Sequence, residues 1–599
     1  MTTFVQPPCA PLTRYVIQLL RFSILFASWR VFCAPAPGAE EPNESRHVVI
    51  VVWDGMRPDF VSEQNTPALW KLAREGVTFR NHHAVYPSAT MVNGTAMVTG
   101  VYPGRNGITA NHVYRPDIDP HHAVDVELLP VVNKGDDLSG GKYISVPTVA
   151  ELVQRAGGGT VIAAAKTVGL LLDRHAGGNQ RYDGNRAASP LGEGERMKVR
   201  GSTTHVSQKA STLTQPSPLG RERRRNLESE VEIHSQPADN SVTLFAGKSL
   251  PADVLSSISE KLGPFPSAHL QQDIWTTKAL TDVLWKDGLP ALSVLWLGEP
   301  DLTQHESAPG APSALAAIKS ADENLAAVLA ALDQGNARGT TDVFVVSDHG
   351  FSTIERSIDL RKILNDAGFT AKTEFTDEAK PGDIMLAGNG GCVLFYVTGH
   401  DEKIIRRLVE FLQQSDFAGV IFTKHPMEGT FSLDQAKIAN DRSPDVVMSF
   451  RWKDQKNQFG VSGMIDADWQ RAAGQGTHAT LSPFDMHNTL IAAGPDFKHG
   501  EVDDLPSGNV DLASTILQIL GIKTSEKMDG RILSEAMTGR AGALRQLPKA
   551  FGTARRPYQT QTIETNKDFP RGTWKQSLRI SRVRSTLYLD EGNGAFTPK

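Results

Sequence analysis

The chain has 599 residues, of which 40% are hydrophobic and 22% are charged. These values are ordinary for a soluble globular protein that buries a large core. The formal net charge of −5 gives no support to a general polyanion-binding surface and argues against a role in nucleic-acid packaging.

The N-terminus carries an apolar stretch at residues 15–32, which follows Arg14 and precedes a run of small residues. This order is typical of a secretory signal peptide, so residues 1–39 are predicted to direct export to the periplasm or out of the cell. The alternatives are a retained membrane anchor and a wrongly assigned start of the chain. No later stretch approaches the roughly 20 apolar residues of a membrane span, so no stable span is expected after signal removal.

Only three cysteines are present: Cys9, Cys33 and Cys392. The first two would leave with the signal peptide, so the mature chain could not form an intramolecular disulfide. Export without disulfides fits a bacterial periplasm. The same scarcity excludes a cysteine-based metal site.

Continuous apolar runs predict buried parallel strands. Stretches with helical periodicity, such as residues 66–75 and 314–332, separate them. The alternation predicts an α/β fold with a mostly parallel sheet and helices on both faces, in which ligands bind beyond the carboxyl ends of the strands. The four runs cover residues 47–54, 160–164, 291–297 and 342–346.

A segment rich in Gly, Ser, Arg and Glu interrupts this pattern at residues 175–239. Within it, the sequence at 189–196 is nearly repeated at 217–224. Such a composition cannot bury enough apolar area to offset the entropy of ordering, so a disordered insertion is predicted. A basic docking loop at 221–225 is the alternative.

The predicted catalytic domain therefore consists of residues 46–174 and 240–545. Residues 370–475 contain two predicted strands, at 391–398 and 445–451, and are expected to form a small inserted cap. The C-terminal segment 550–599 is strand-rich, and a hairpin closing the edge of the main sheet is expected there.

Four short segments place carboxylates or imidazoles at the end of a strand or the start of a loop. Each segment is weak alone, because an isolated Asp-His pair is more often a loop feature. The spacing of Asp301 and His305 lets both side chains point the same way if the segment is helical. Three carboxylates and three imidazoles without a thiolate suit Zn²⁺, and less well Mn²⁺ or Fe. The candidate ligands are Asp54, Asp301, His305, Asp348, His349 and His478.

A fifth segment, residues 86–103, predicts a helix that begins near Thr90 and ends at Thr99. A hydroxyl in the first helical turn faces unpaired amides and the positive end of the helix dipole, where a phosphoryl oxygen would bind well. The alternative interpretation is that Thr90 is an ordinary N-cap.

Together these segments resemble the alkaline phosphatase superfamily, in its branch of type I phosphodiesterases and nucleotide pyrophosphatases. The resemblance rests on strand-Asp-Gly, Pro-x-x-Thr, Thr-Gly-x-Tyr-Pro, Gly-Ile-x-x-Asn, Pro-Asp-x-x-x-His, Ser-Asp-His-Gly and Gly-x-His, which occur in the family's order. It covers roughly residues 46–174 and 240–537.

The resemblance implies an enzyme with two divalent cations, in the first place Zn²⁺, which hydrolyses phosphodiester or nucleotide pyrophosphate bonds. Thr90 would attack phosphorus and form a covalent phospho-threonine, and Asn111 would donate a hydrogen bond to a phosphoryl oxygen. Of the ligands, one cation would take Asp301, His305 and His478, and the other would take Asp54, Asp348, His349 and the hydroxyl of Thr90.

Other substrates of the superfamily remain open. Arg174 keeps half of a Lys-x-Arg pair that some threonine-using monoesterases present, and Lys166 lies near a position used by phosphonoacetate hydrolases. Both are candidate substrate contacts, so a phosphomonoesterase and a phosphonoacetate-type phosphonate hydrolase are alternatives. The non-enzymatic alternative is an inactive secreted metal-binding relative.

Overall fold

The computed structural model of the protein describes residues 46–174, 241–539 and 558–599. The predicted signal peptide at 1–39 and the predicted insertion at 175–239 lie outside these ranges. The described residues belong to one compact unit, Arg46–Lys599. Within the described ranges, none of the helices combines the length and the apolar character needed to cross a bilayer.

A nine-stranded sheet forms the centre of the fold. Its five consecutive parallel strands include the four predicted apolar runs, so the expected mostly parallel α/β sheet is confirmed. Antiparallel pairs occur toward both edges. Across the sheet, the strands are Glu501–Asp503, Val77–Phe79, Leu490–Ala493, Thr341–Val346, His47–Trp53, Leu292–Leu297, Thr160–Ala164, Val242–Phe245 and Lys248–Leu250.

The sheet separates two hydrophobic cores because successive side chains of a strand point to opposite faces. In the strand His47–Trp53, Val48 and Ile50 pack into one core with residues of the helix Thr90–Thr99. Val49 and Val51 pack into the other core, against the helices Pro67–Glu75 and Pro312–Gln334. Burial of both faces explains why the run is continuously apolar.

The region predicted as a cap contains a second sheet of six strands and the amphipathic helix Glu402–Gln413. That this region forms a separate cap subdomain stays a prediction. A four-stranded sheet beside it joins Trp452–Lys456, Ser462–Ala467, Ser352–Ser357 and Gly476–Thr477. The six strands are, in order, Ala371–Lys372, Ile384–Gly388, Cys392–Val397, Val446–Phe450, Ala418–Thr423 and Phe431–Ser432.

The C-terminal strands form a sheet of their own, composed of Gln559–Phe569, Gly572–Val583 and Thr586–Pro598. The expectation that this segment closes the edge of the main sheet is therefore wrong. The side chain of Gln576 instead hydrogen-bonds both backbone groups of Ile421 in the six-stranded sheet, at 2.7 and 3.1 Å. A side chain thus satisfies backbone groups that a neighbouring strand would otherwise pair with.

Short elements complete the fold. Two small strand pairs are His82–His83 with Ser507–Gly508, and His112–Tyr114 with Ala123–Asp125. The remaining α-helices are Pro103–Asn106, Leu129–Ser139, Val149–Arg155, Gly169–Leu172, Val254–Leu262, His269–Lys278, Asp301–Ser307, Leu360–Asp366, Pro483–Met486 and Leu512–Ile519.

Candidate metal centre

The predicted ligands converge beyond the carboxyl ends of the central strands. Asp54 follows the strand His47–Trp53, and Asp348 and His349 follow the neighbouring parallel strand Thr341–Val346. The carboxyl ends of adjacent parallel strands meet at one edge of the sheet, which brings these three side chains together. Asp301 and His305 lie four residues apart in the helix Asp301–Ser307, as the spacing predicted.

Two groups of ligand atoms come close enough to hold a cation. His349 Nε2 lies 3.6 Å from Asp54 Oδ1 and 3.3 Å from Asp348 Oδ2. Asp301 Oδ1 lies 3.6 Å from His478 Nε2 and 3.3 Å from His305 Nε2. The imidazoles of His349 and His478 stack at 3.7 Å and connect the two groups.

The partition between the groups differs in one respect from the prediction. Within the described residues, Asp54, Asp348 and His349 form one compact group of potential ligands, as predicted. The second compact group contains Asp301, His478 and again His349, and it leaves out His305. His305 contacts Asp301 but lies at the outer side of the cluster, where it is 12% exposed. The assignment of His305 to a cation stays a prediction.

All three imidazoles are oriented in the same way. Each Nδ1 hydrogen-bonds a backbone carbonyl oxygen: His305 to Gly476 at 3.0 Å, His349 to Gly350 at 2.9 Å and His478 to Ser88 at 2.9 Å. A carbonyl can only accept, so Nδ1 carries the proton and Nε2 of a neutral ring presents a lone pair. Those lone pairs face the carboxylates.

The two oxygens of each carboxylate have different surroundings. Asp54 Oδ1, Asp301 Oδ1 and Asp348 Oδ2 are buried and have no hydrogen-bond partner, whereas the second oxygen of each accepts hydrogen bonds. Carboxylate and imidazole lone pairs at 3.3 to 3.6 Å repel one another unless a cation or a proton lies between them. This donor set therefore fits divalent cations.

The electrostatics agree with this geometry. Burial, together with the charge of Asp348, raises the pKa of Asp54 to about 8, and burial raises the pKa of Asp348 to about 6. Burial and the neighbouring His349 lower the pKa of His478 well below its usual value, which keeps that ring neutral. With a pKa of about 8, Asp54 holds a proton at neutral pH, and a divalent cation would have to displace this proton to bind the carboxylate. The neutral ring of His478 is already in the protonation state that binds metal.

Thr90 lies beside this cluster. It is the first residue of the helix Thr90–Thr99, and the N-cap is Ala89, which makes no side-chain cap. The alternative that Thr90 is the N-cap is therefore wrong. Its Oγ1 lies 3.3 Å from His349 Nε2. Asn111 lies next to Thr90, because its Oδ1 accepts a 2.9 Å hydrogen bond from the amide of Met91.

Comparison with known proteins identifies the family. The model of the type I phosphodiesterase / nucleotide pyrophosphatase family matches residues 48–454. The chain belongs to this family. The resemblance stated from the motifs is thereby confirmed.

Its relatives include the venom phosphodiesterase of Naja atra, which is 21% identical over 82% of this chain and 46% of the relative. Ectonucleotide pyrophosphatase/phosphodiesterase family member 3 of Mus musculus is also 21% identical, over 81% of this chain and 43% of the relative. This family member thus spans less than half the length of these curated relatives.

A solved structure gives the same fold. Murine ectonucleotide pyrophosphatase/phosphodiesterase 5, in complex with AMP, matches with a TM-score of 0.51 at 16% identity, over 82% of this chain and all of the other.

In this family member, the two candidate substrate contacts, Arg174 and Lys166, have different surroundings. Arg174 donates hydrogen bonds to the carboxylate of Asp136 and, at 3.2 Å, to the carbonyl of Leu170. These contacts lend no support to a phosphate contact by Arg174. Lys166, in contrast, reaches the metal centre, with Nζ 2.9 Å from Asp54 Oδ2 and 2.9 Å from Asp301 Oδ2.

Asn509 connects several parts of the site, and no sequence pattern indicated it. Its Nδ2 donates to the carbonyl of Asp348 at 2.7 Å and to Asn93 Oδ1 at 3.0 Å. Its Oδ1 contacts His82 Nε2 at 2.9 Å and Asn488 Nδ2 at 3.2 Å. The buried amide thus joins the helix of Thr90 to the loop that carries two ligands. An asparagine just before a helix looks like a cap in the sequence, so no local signal distinguished it.

Proposed function

We propose that this chain hydrolyses phosphodiester or nucleotide pyrophosphate bonds, with Thr90 as the nucleophile and two divalent cations as cofactors. The observation that carries the proposal is the position of Thr90 Oγ1, which lies 3.3 Å from His349 Nε2 at the start of a helix. The nitrogen and oxygen atoms beside it direct their lone pairs at the predicted metal site. Membership of the family and the names of the relatives support the class of bond.

Each residue has a defined part in this reaction. Bound cations would lower the pKa of the Thr90 hydroxyl and neutralise charge that develops on the attacking and leaving oxygens. Thr90 loses its proton to solvent, Oγ1 bonds to phosphorus, and the leaving oxygen departs from the opposite side. Asn111 Nδ2 donates to a non-bridging phosphoryl oxygen. Water then attacks the phospho-threonine and releases Thr90, so the net reaction consumes one water.

The nature of the cations and the location of the enzyme belong to the same proposal. Three imidazoles and three carboxylates favour Zn²⁺ over the harder Mg²⁺ or Ca²⁺. Export to the periplasm or out of the cell rests on the composition of residues 1–39 alone.

A phosphomonoesterase or a phosphonate hydrolase is the second candidate, and Lys166 is the observation that favours it. A monoester carries a second negative charge, which an additional cation near the site would accommodate. The inactive relative is less well supported, because every predicted ligand is present and its donor atoms face the cluster.

The decisive assay compares a p-nitrophenyl nucleotide diester with p-nitrophenyl phosphate on the Zn²⁺-loaded full chain. We expect kcat/KM for the diester to be higher by about tenfold or more, equivalent to about 1.4 kcal/mol of transition-state stabilisation. Equal or faster hydrolysis of the monoester would contradict the diesterase proposal and favour the second candidate.

The nucleophile is tested separately. Thr90→Ala is expected to lower kcat by about 10⁴-fold or more and to abolish labelling of the protein by a phosphorus-labelled substrate. Thr376→Ala, at an exposed threonine, is the control and is expected to retain full activity. If a metal-loaded Thr90→Ala variant kept its activity, Thr90 would not be the nucleophile.

A further inference from the structure

Lys166 makes a bridge between the two groups of predicted ligands. It follows the central strand Thr160–Ala164 by two residues, and its side chain is 17% exposed. Its Nζ lies at the same distance, 2.9 Å, from Asp54 Oδ2 and from Asp301 Oδ2. Asp54 and Asp301 belong to different compact groups, so one ammonium contacts a carboxylate of each.

The bridge contacts one particular oxygen of each carboxylate. Lys166 binds Oδ2 of both residues, and the Oδ1 atoms are the buried oxygens without a hydrogen-bond partner. At Asp54, the indole Nε1 of Trp296 also donates to Oδ2, at 2.9 Å. Donors on one oxygen fix the plane of a carboxylate and leave its other oxygen directed at the cluster.

The charge of Lys166 matters as well. Three carboxylates lie buried within this cluster, where their mutual repulsion is poorly screened. Among the lysines and arginines that the structure describes, Lys166 is the residue that forms ion pairs with two of these carboxylates, Asp54 and Asp301. Two of its three N–H donors are committed to these pairs, which leaves little capacity for a phosphoryl group.

We propose that Lys166 is a positioning residue that orients Asp54 and Asp301 for the two cations and does not contact the substrate. This inference rests on the proposed two-cation site. It assigns Lys166 to metal binding, which also removes the observation that favoured a monoesterase.

Cation binding in the absence of substrate is the appropriate measurement. The full chain is stripped with a chelator and titrated with Zn²⁺ by calorimetry against a competing chelator, and the bound metal is counted by elemental analysis. In Lys166→Met, we expect the affinity for at least one Zn²⁺ to fall by about 10- to 100-fold, the usual effect of losing a residue that orients a ligand. Thermal unfolding of the metal-free protein checks that the variant is folded.

Lys567→Met is the matched control. Lys567 is also 17% exposed and forms an ion pair of 2.9 Å, with Glu410, on the C-terminal sheet. We expect its Zn²⁺ affinity to equal that of the unmodified chain. If Lys166→Met does not fold, Lys166→Gln keeps N–H donors without the charge and is expected to show the same weakening.

Unchanged or tighter Zn²⁺ binding in a folded Lys166 variant would overturn the proposal, since a lysine that only repelled the cations would improve binding when removed. A raised KM with unchanged Zn²⁺ affinity would also overturn it and assign Lys166 to the substrate. The titration contains no substrate, so its result holds even if the diesterase assay fails. Failure of the two proposals is therefore distinguishable.

Discussion

Two buried groups of histidines in this protein use the same side chains in different ways. His305, His349 and His478 at the metal centre each bind one backbone carbonyl through Nδ1 and direct Nε2 at unpartnered carboxylate oxygens. A second group, His82, His83 and His487, lies where the strand Thr586–Pro598 packs against the strand His82–His83. We call it the packing cluster.

In the packing cluster, the ring nitrogens of His82 and His83 each lie close to a single protein group. His82 contacts Ser507 Oγ and Asn509 Oδ1, each at 2.9 Å. His83 lies between the carbonyl of Ser507 and the carboxylate of Asp590, also at 2.9 Å each, and its ring lies tilted against that of His487, with the centroids 4.5 Å apart. Three histidines in close contact are therefore not by themselves a metal site. Among the described residues, the distinguishing feature is the convergence of three ligand atoms from different side chains within 4.8 Å of one another, which occurs at the metal centre.

The largest effect should come from removing the imidazole that both compact groups share. His349→Ala is expected to lose at least one Zn²⁺ per chain and to lower kcat/KM by about 10³-fold, since bound cations supply several kcal/mol of transition-state stabilisation. Elemental analysis and the diester assay measure both effects. Full metal content in a folded His349→Ala protein would remove the distinction between the two clusters.

The mirror experiment is His83→Ala in the packing cluster. It leaves the carboxylate of Asp590 without its imidazole partner in a buried position, which should cost about 3 kcal/mol of unfolding free energy. Zn²⁺ content and kcat per folded molecule should remain unchanged. Loss of Zn²⁺ at temperatures where the variant is folded would show that the packing cluster also supports the metal centre.

Asn509 connects the two clusters, so its replacement should have an intermediate effect. Asn509→Asp substitutes an oxygen for the Nδ2 donor that faces the carbonyl of Asp348 and Asn93 Oδ1. We expect kcat to fall by about 10- to 100-fold and KM to change by less than about threefold, because the nucleophile and the ligand loop move apart.

Asn457→Asp is the control for Asn509. Asn457 is also an amide with two donor contacts, to Pro309 and Thr353 at 2.8 and 2.9 Å. A loss of stability in both variants with kcat unchanged in both would mean that Asn509 only supports the fold.

The smallest effect at neutral pH comes from protonation in the packing cluster, which becomes visible as a pH dependence of stability in acid. Burial lowers the pKa of both His82 and His487 to about 3 in the folded protein. Between that value and the unfolded pKa of about 6.5, the unfolded chain binds more protons, so the unfolding free energy falls as pH falls, by up to about 1.4 kcal/mol per pH unit for each histidine. His82→Asn should make this slope shallower in urea unfolding between pH 6.5 and 4. His499→Asn, at an exposed residue, should leave the slope unchanged.

The sequence allowed prediction of the parallel strands and of six candidate ligands, because both are local patterns: an apolar run, and a polar residue just beyond it. The strand Thr160–Ala164 was predicted to the residue. The partners of these residues could not be predicted in the same way. Asn509 contacts Asn93 across 416 positions of sequence, and the bridge of Lys166 to Asp301 spans 135. No local spacing encodes which carboxylate oxygen remains unpartnered.

The distribution of the site along the chain has a practical consequence. Asp54 and Thr90 precede residue 174, whereas the other proposed ligands follow residue 241. The strand Leu292–Leu297 lies between His47–Trp53 and Thr160–Ala164. Strands that precede residue 174 and strands that follow residue 241 therefore alternate within one sheet. Two separately expressed halves, divided between 174 and 241, would each hold an incomplete ligand set, and hydrolysis would appear only on their reassociation. Hydrolysis by such a pair would therefore measure whether the two halves have assembled.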